Sequence, residues 1–278
     1  MASSTARGRG GIGRGRGFGF PKAQTKPGES PVEQKNLPSE NTAEEFNLSK
    51  VLSDLKDTNV EETVTKLSKY ISSSDSSSKI KEVVNLLCQR SLKDSEFAPL
   101  AAKASSKLCS ADSLGIVFRG CLLKSTQENY KNREIVRKKS IREWIGLSAL
   151  LCELFNHLRT GEAPLKPLAG AVYQTLGELL MTEGGAARSE DEDLEEDEID
   201  CFYRHFKTVG KLLEMVDAEK MDDLVGKIRD TILAVGTSAK TRCLLVELLE
   251  FRAHDWTLSS AVESYYCDTL ADIMAQGV

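Results

Sequence analysis

Four arginines alternate with glycine near the start of the chain: Arg7, Arg9, Arg14 and Arg16 lie in RGRGGIGRGRGFGF, which ends on Phe18 and Phe20. Guanidinium groups pair with phosphates in a bidentate way and stack on bases. Glycine lets the backbone follow an irregular polyanion, and phenylalanine stacks on unpaired bases of any identity. These six residues read as an RNA-binding tail, with weak and salt-dependent affinity because four arginines neutralise few phosphates. A solvated linker or protein-binding tail is the other reading of the same composition.

A second cationic group spans Lys131 to Arg142, with Lys131, Arg133, Arg137, Lys138, Lys139 and Arg142 against the single acid Glu134. On a continuous helix Lys131, Lys138 and Arg142 align at spacings of seven and four, a ridge suited to phosphates or an acidic partner. The plainer reading is a wet helix face. Nine of the eleven residues from Glu190 to Asp200 are acidic, and this run can also fold back on the ridge as its counter-charge. The third group lies near the C-terminus: Phe251, Arg252, Trp256, Tyr265 and Tyr266. Aromatics and arginine dominate interface hot spots, but they also pack ordinary chain ends.

Bond-making chemistry has little to work with. The three histidines, His157, His205 and His254, have no H-E-x-x-H partner, and no phosphate loop, G-x-S-x-G or kinase signature occurs. Seven cysteines, Cys88, Cys109, Cys121, Cys152, Cys201, Cys243 and Cys267, are widely spaced with no C-x-x-C, which disfavours a disulfide framework or a zinc site. The expectation is therefore no enzyme, no cofactor and no metal, with reduced thiols that suit the cytoplasm and nucleus. No apolar run is long enough to span a membrane. The N-terminus lacks the apolar core of a secretory signal, and its glycines oppose the amphipathic helix of a mitochondrial transit peptide.

The 278 residues carry a net charge of −5, but residues 1–28 hold six cations and no acid, so the remainder is strongly acidic. Proline and glycine concentrate in residues 1–43, which are too poor in aliphatic side chains to offset their ordering entropy and read as a disordered Arg/Gly-rich, then Pro-rich, tail. From residue 44 to 276 apolar residues recur at helical spacing. Helices are expected over 44–56, 59–71, 79–92, 96–108, 113–131, 135–159, 166–181, 198–216, 218–234, 239–253 and 260–275. The 135–159 helix is apolar around most of its circumference and so central. Capping boxes are expected at Thr58–Glu61 and Ser260–Glu263, and Gly161 is expected to stop the long helix. Residues 182–200 read as an acidic loop held open by mutual repulsion. So many helices with short links make an all-α, HEAT-like α-solenoid of about five antiparallel helix pairs. A globular helical bundle is the competing architecture.

Two stretches add a resemblance. FRGCLLKSTQENYKNREIVRKKSIREWIGLSALLCELFNHL and LLVELLEFRAHDWTLSSAVESYY resemble the middle domain of eukaryotic initiation factor 4G and its small relatives. The likeness covers residues 45–270 and is greatest to the compact members that bind histone stem-loop-binding protein. Poly(A)-binding-protein-interacting and cap-binding-complex-dependent members come next. The Arg-Gly tail and the acidic insert depart from the compact type. The resemblance implies a HEAT-type array of five helix pairs and a non-catalytic adaptor in mRNA translation. Its implied partners are a DEAD-box RNA helicase or translation initiation factors, and an mRNA-end-bound protein such as histone stem-loop-binding protein or poly(A)-binding protein. A homodimer is also implied. A nuclear RNA-processing or mRNA-export scaffold of the same fold is the alternative.

Overall fold

Apolar spacing decides which helices form and which face each buries. In α2 (Val60–Ser72) the buried residues are Val60, Thr63, Leu67 and Ile71, one every three or four positions. In α7 (Ile141–His157) the buried set is Trp144 and the unbroken run Gly146–Phe155, so this helix is enclosed on nearly all sides. The computed structural model describes residues 46–73, 75–111, 113–180 and 192–276. The Arg/Gly-rich tail, with Arg7, Arg9, Arg14, Arg16, Phe18 and Phe20, lies outside the described residues.

Twelve α-helices are found among the described residues: α1 Leu48–Ser53, α2, α3 Ser76–Lys93, α4 Ala98–Cys109, α5 Ser113–Lys131, α6 Arg133–Lys139, α7, α8 Lys166–Leu180, α9 Glu192–Val216, α10 Ala218–Leu233, α11 Ala239–Ala253 and α12 Ser260–Gln276. Five antiparallel pairs follow in chain order: α2/α3, α4/α5, α7/α8, α9/α10 and α11/α12. The first members form one layer, each packed on the next from α2 through α4, α7 and α9 to α11. In the second layer α3 meets α5 and α8 meets α10. This is the HEAT-like all-α array that the periodicity predicts.

α7 divides the interior. Its Ala149, Leu150 and Leu154 join the cluster built from α1 to α5, while Trp144, Leu147, Leu151 and Phe155 join the cluster that runs through α8, α9, α10 and α11. Burial of each such side chain stabilises the fold by roughly 1.5–3 kcal/mol. Gly146 lets α7 cross α3 closely, since a side chain there would collide with the carbonyls of Ser91 and Leu92.

Several expectations need correction. The 135–159 helix is two helices. At Ser140 the backbone is extended (φ −160°, ψ 111°), and its hydroxyl accepts from the Glu143 N–H at 3.2 Å to start α7. Residues 192–200 are the first turns of α9 rather than a loop. Their repulsion is offset because Glu196 and Asp200 pair with Lys240, and Glu198 pairs with Arg137. Ile199, Phe202, Phe206, Val209 and Leu213 meanwhile give α9 a buried stripe. Thr58 does not cap α2. It lies in a 3-10 turn, Asp57–Asn59, where the Asn59 amide oxygen accepts from the Lys56 N–H at 2.7 Å. Ser259, one position before the expected Ser260, receives the first N–H groups of α12. The long helix ends at His157. Gly161, at φ +62°, instead turns a minimal hairpin between β1 (Arg159–Thr160) and β2 (Ala163–Pro164). The first expected helix shortens to α1.

Candidate partner-binding surfaces

The cationic stretch is divided between the interior and the surface. Arg133 grips Glu178 of α8 with Nε and Nη2 at 3.0–3.2 Å, and its guanidinium lies 4.5 Å over the Tyr130 ring. Arg137 meets Glu198 at 3.0–3.1 Å and stacks 5.8 Å from the Trp144 ring, whose Nε1–H donates to Glu198 at 2.7 Å. Glu198 is only 4% exposed, so both partners hold a buried carboxylate in place. The break at Ser140 removes the continuous ridge. Lys131, Lys138, Lys139 and Arg142 nonetheless face solvent, with Lys139 making only an exposed 3.7 Å contact to Glu143. Among them Ile135 is 68% exposed. The outward residues of this stretch are thus three lysines, Arg142, Asn132, Glu134 and Ile135, and Arg142 lines a cleft with Asp197, Asp200 and Arg204.

The C-terminal block is mostly interior. Trp256 follows Asp255 into the left-handed region (φ +54° and +62°), a conformation that a bulky residue adopts only when its surroundings enforce it. The indole is clamped between Phe206 (5.3 Å) and Phe251 (5.7 Å, edge-on), lies against Gly210, and donates Nε1–H to Glu214 at 2.6 Å. Arg252 pairs with the same Glu214 at 2.7–2.9 Å and with Asp222 at 2.6 Å. Tyr266 is buried and donates to Glu250 at 2.6 Å. Tyr265, 63% exposed and edge-on to Tyr266, is the member of the block that presents its ring.

Both tryptophans therefore end on glutamates of α9, and each glutamate also holds an arginine: Trp144–Glu198–Arg137 and Trp256–Glu214–Arg252. The fold-back of the Glu190–Asp200 run onto the cationic stretch is seen at one pair, Glu198 with Arg137, whereas Glu214 was not anticipated. Glu198 was visible only as one acid among nine, and its partners are 54 and 61 positions away.

Several other titratable groups are shifted by burial. Burial pushes the Cys88 and Cys109 thiols to about 11 and Cys201 to about 12, so they stay protonated at neutral pH. All seven cysteines are free. Burial lowers His205 to about 4, and its Nδ1 lies 3.6 Å from the Glu153 carboxylate, which burial pushes up. His157 reaches the same carboxylate at 3.6 Å, and His254 Nδ1 sits 3.0 Å from the Glu250 carbonyl. No group of three or more His, Cys, Asp and Glu among the described residues could hold a metal ion, and none of their helices is long and apolar enough to cross a membrane.

One surface feature was not anticipated. Phe46 stacks on Tyr70 with ring centroids 4.6 Å apart and planes at 17°, forming the floor of a cleft framed by Lys66, Lys69 and Lys79. The spacing of Phe46 and Tyr70, 24 positions apart, gives no signal in the sequence.

Five antiparallel pairs with one enclosed central helix define a helical-repeat scaffold. Residues 45–255 match the MIF4G domain, and the chain belongs to that family. It is 31% identical over 197 residues to MIF4G domain-containing protein A of Xenopus laevis, covering 69% of this chain and 85% of that protein. The human MIF4G domain-containing protein is 30% identical over the same coverage. The CBP80/20-dependent translation initiation factor of Xenopus tropicalis is 31% identical over 200 residues, 71% of this chain but 33% of that longer protein.

Proposed function

We propose that this chain is a non-catalytic adaptor in mRNA translation, acting in the cytoplasm and nucleus. It brings an mRNA-bound protein, or RNA, together with a DEAD-box RNA helicase or the initiation machinery. The observation that supports this reading is the exposure of Lys131, Ile135, Lys138, Lys139 and Arg142 on one stretch of the chain, on a scaffold that matches the MIF4G family and a relative named as a translation initiation factor. Cations around an aliphatic anchor suit an acidic protein surface, where charge steers encounter and a desolvated centre supplies affinity. An adaptor works by raising the effective concentration of one partner near another. The Arg-Gly tail adds loose RNA contact, and Tyr265 is the C-terminal residue best placed to meet a partner. Histone stem-loop-binding protein and poly(A)-binding protein are the mRNA-end-bound candidates.

The test is Lys138→Glu combined with Arg142→Glu. Both side chains are exposed, so the helical circular-dichroism signal is expected to stay unchanged. Capture of helicase or initiation factors at ~150 mM salt, after RNase treatment, should fall severalfold. Equal capture by the variant removes this edge from the reading, and loss of every partner on RNase treatment means that RNA bridges them.

A further inference from the structure

Aromatic pairs in the interior of this protein are tilted: Phe202–Phe206 by 32°, Phe206–Trp256 by 41° and Phe251–Trp256 by 90°. Tilted and edge-on contacts pack rings tightly within a core. Phe46 and Tyr70 differ in two ways. Their rings are nearly parallel at 17°, and Phe46 is 37% exposed, so the stack ends at solvent. The Tyr70 hydroxyl donates to Glu82 at 2.7 Å, which fixes the lower ring.

The surroundings of this stack are cationic. Lys79 lies 4.9 Å over the Tyr70 ring, and its ammonium donates to the Ser73 hydroxyl. Lys66 and Lys69 complete the rim of a cleft of about 420 Å³ whose floor is mainly apolar. Lys69 has no ion pair among the described residues. Lys66 is paired with Glu62 at 2.6 Å, but both side chains are more than half exposed. Such a pair is worth ~0–1 kcal/mol and is readily exchanged for a phosphate. Two lysines of α4 also carry exposed ion pairs, Lys103 with Asp57 and Lys107 with Glu61. An open aromatic platform flanked by cations is what an unpaired base with a phosphate on either side requires.

We propose that the Phe46–Tyr70 cleft, framed by Lys66, Lys69 and Lys79, is a single-stranded RNA site, in which an unpaired base extends the stack on Phe46 and its phosphates lie on the lysines. This rests on the RNA-facing part of the reading above but places RNA contact in the folded array as well as in the tail. It is sequence-tolerant, because every base has a face to stack, and it excludes duplex RNA, whose bases are already stacked.

The experiment uses full-length chain with Arg7, Arg9, Arg14 and Arg16 replaced by serine, so that the cleft is read without the tail. The probe is a 5′-fluorescein oligouridylate of ~12 nucleotides, long enough to place a base on the platform and phosphates on either side, followed by anisotropy against salt. The tail-substituted chain should keep measurable, salt-dependent binding. Phe46→Ala should weaken it about tenfold, in line with the loss of one stacked base. Neutralising Lys66, Lys69 and Lys79 to glutamine should reduce the slope of log K on log salt by about 2, at roughly 0.7 per lysine on a single strand. Because Phe46→Ala could loosen the start of the array, Phe46→Trp serves as the second variant. It keeps the platform, should retain affinity, and its exposed indole should be quenched by the oligonucleotide, whereas Trp144 and Trp256 are buried. Binding lost with the tail arginines alone, unchanged affinity in Phe46→Ala, no quenching in Phe46→Trp, or equal binding of a duplex each overturn the proposal. So does displacement of the probe by an acidic peptide that itself quenches Phe46→Trp more tightly than RNA. Capture of helicase by the Lys138 and Arg142 edge is read separately, so failure here leaves that measurement standing.

Discussion

Gly210 and Trp256 should show opposite effects of the same methyl group in two backgrounds. Gly210 sits within α9, and a Cβ there would overlap the six-membered ring of Trp256. In the otherwise native chain Gly210→Ala must expel the indole. Losing its packing against Phe206 and Phe251 costs ~3–5 kcal/mol by analogy with Trp→Ala in a core. Losing the N–H bond to the Glu214 carboxylate costs a further ~1.5 kcal/mol. Relaxation of the left-handed Asp255–Trp256 pair returns ~1–2 kcal/mol. The net expectation is destabilisation by about 4 kcal/mol, close to that of Trp256→Ala itself. In a Trp256→Ala background the obstruction is gone, and alanine is favoured over glycine inside a helix by ~1 kcal/mol. There Gly210→Ala should stabilise slightly. Urea unfolding followed by circular dichroism measures all four chains of the cycle. An equal cost of Gly210→Ala in both backgrounds would refute the placement of Trp256 against α9.

Two further expectations concern titration and thiol chemistry. His205 has its pKa lowered by burial to about 4, against 6.5 when exposed, so between those values the unfolded chain binds the extra proton. Stability should therefore fall as pH drops from 6.5 toward 4. His205→Leu should flatten that dependence by up to ~1.4 kcal/mol per pH unit, measured by urea unfolding across the range. Glu153, raised by burial, acts in the opposite sense and is left in place as the comparison. Among the thiols Cys267 is exposed while Cys88, Cys152 and Cys201 are buried. A neutral thiol reagent with mass-spectrometric mapping should label Cys267 first and reach those three only on unfolding. Early labelling of Cys201 would contradict its position against the Ile145 carbonyl.

Helix positions were legible because burial imposes a period of about 3.6 on the sequence, and nine helices begin within three residues of the expected places. The break at Ser140 was legible too, since Ser140 and Glu143 carry the S-x-x-E spacing of a helix start, but the greasy continuity of Ile141–Leu158 masked it. Charge was misread only in part, since the acidic run does supply a counter-charge to the ridge at Arg137. Local density of like charge predicts repulsion, whereas Arg133, Arg137 and Lys240 find their carboxylates 45, 61 and 40–44 positions away. No local pattern encodes those distances. For the same reason Arg133, Arg137, Trp256 and Tyr266, suited by type to an interface, are already engaged inside the array. Lys131, Lys138, Arg142 and Tyr265 are left facing outward.

Arrays of stacked helical pairs ordinarily unravel from their ends, because each unit leans only on its neighbours. α7 alters that behaviour here, since it touches α3, α4, α8 and α9 and lends opposite sides to both apolar clusters. Severing the first five helices would bare Leu150 and Leu154. Severing the last four would bare Trp144, Leu151 and Phe155. Fraying from either terminus should therefore slow at this central rod, whose two sides are held by different clusters.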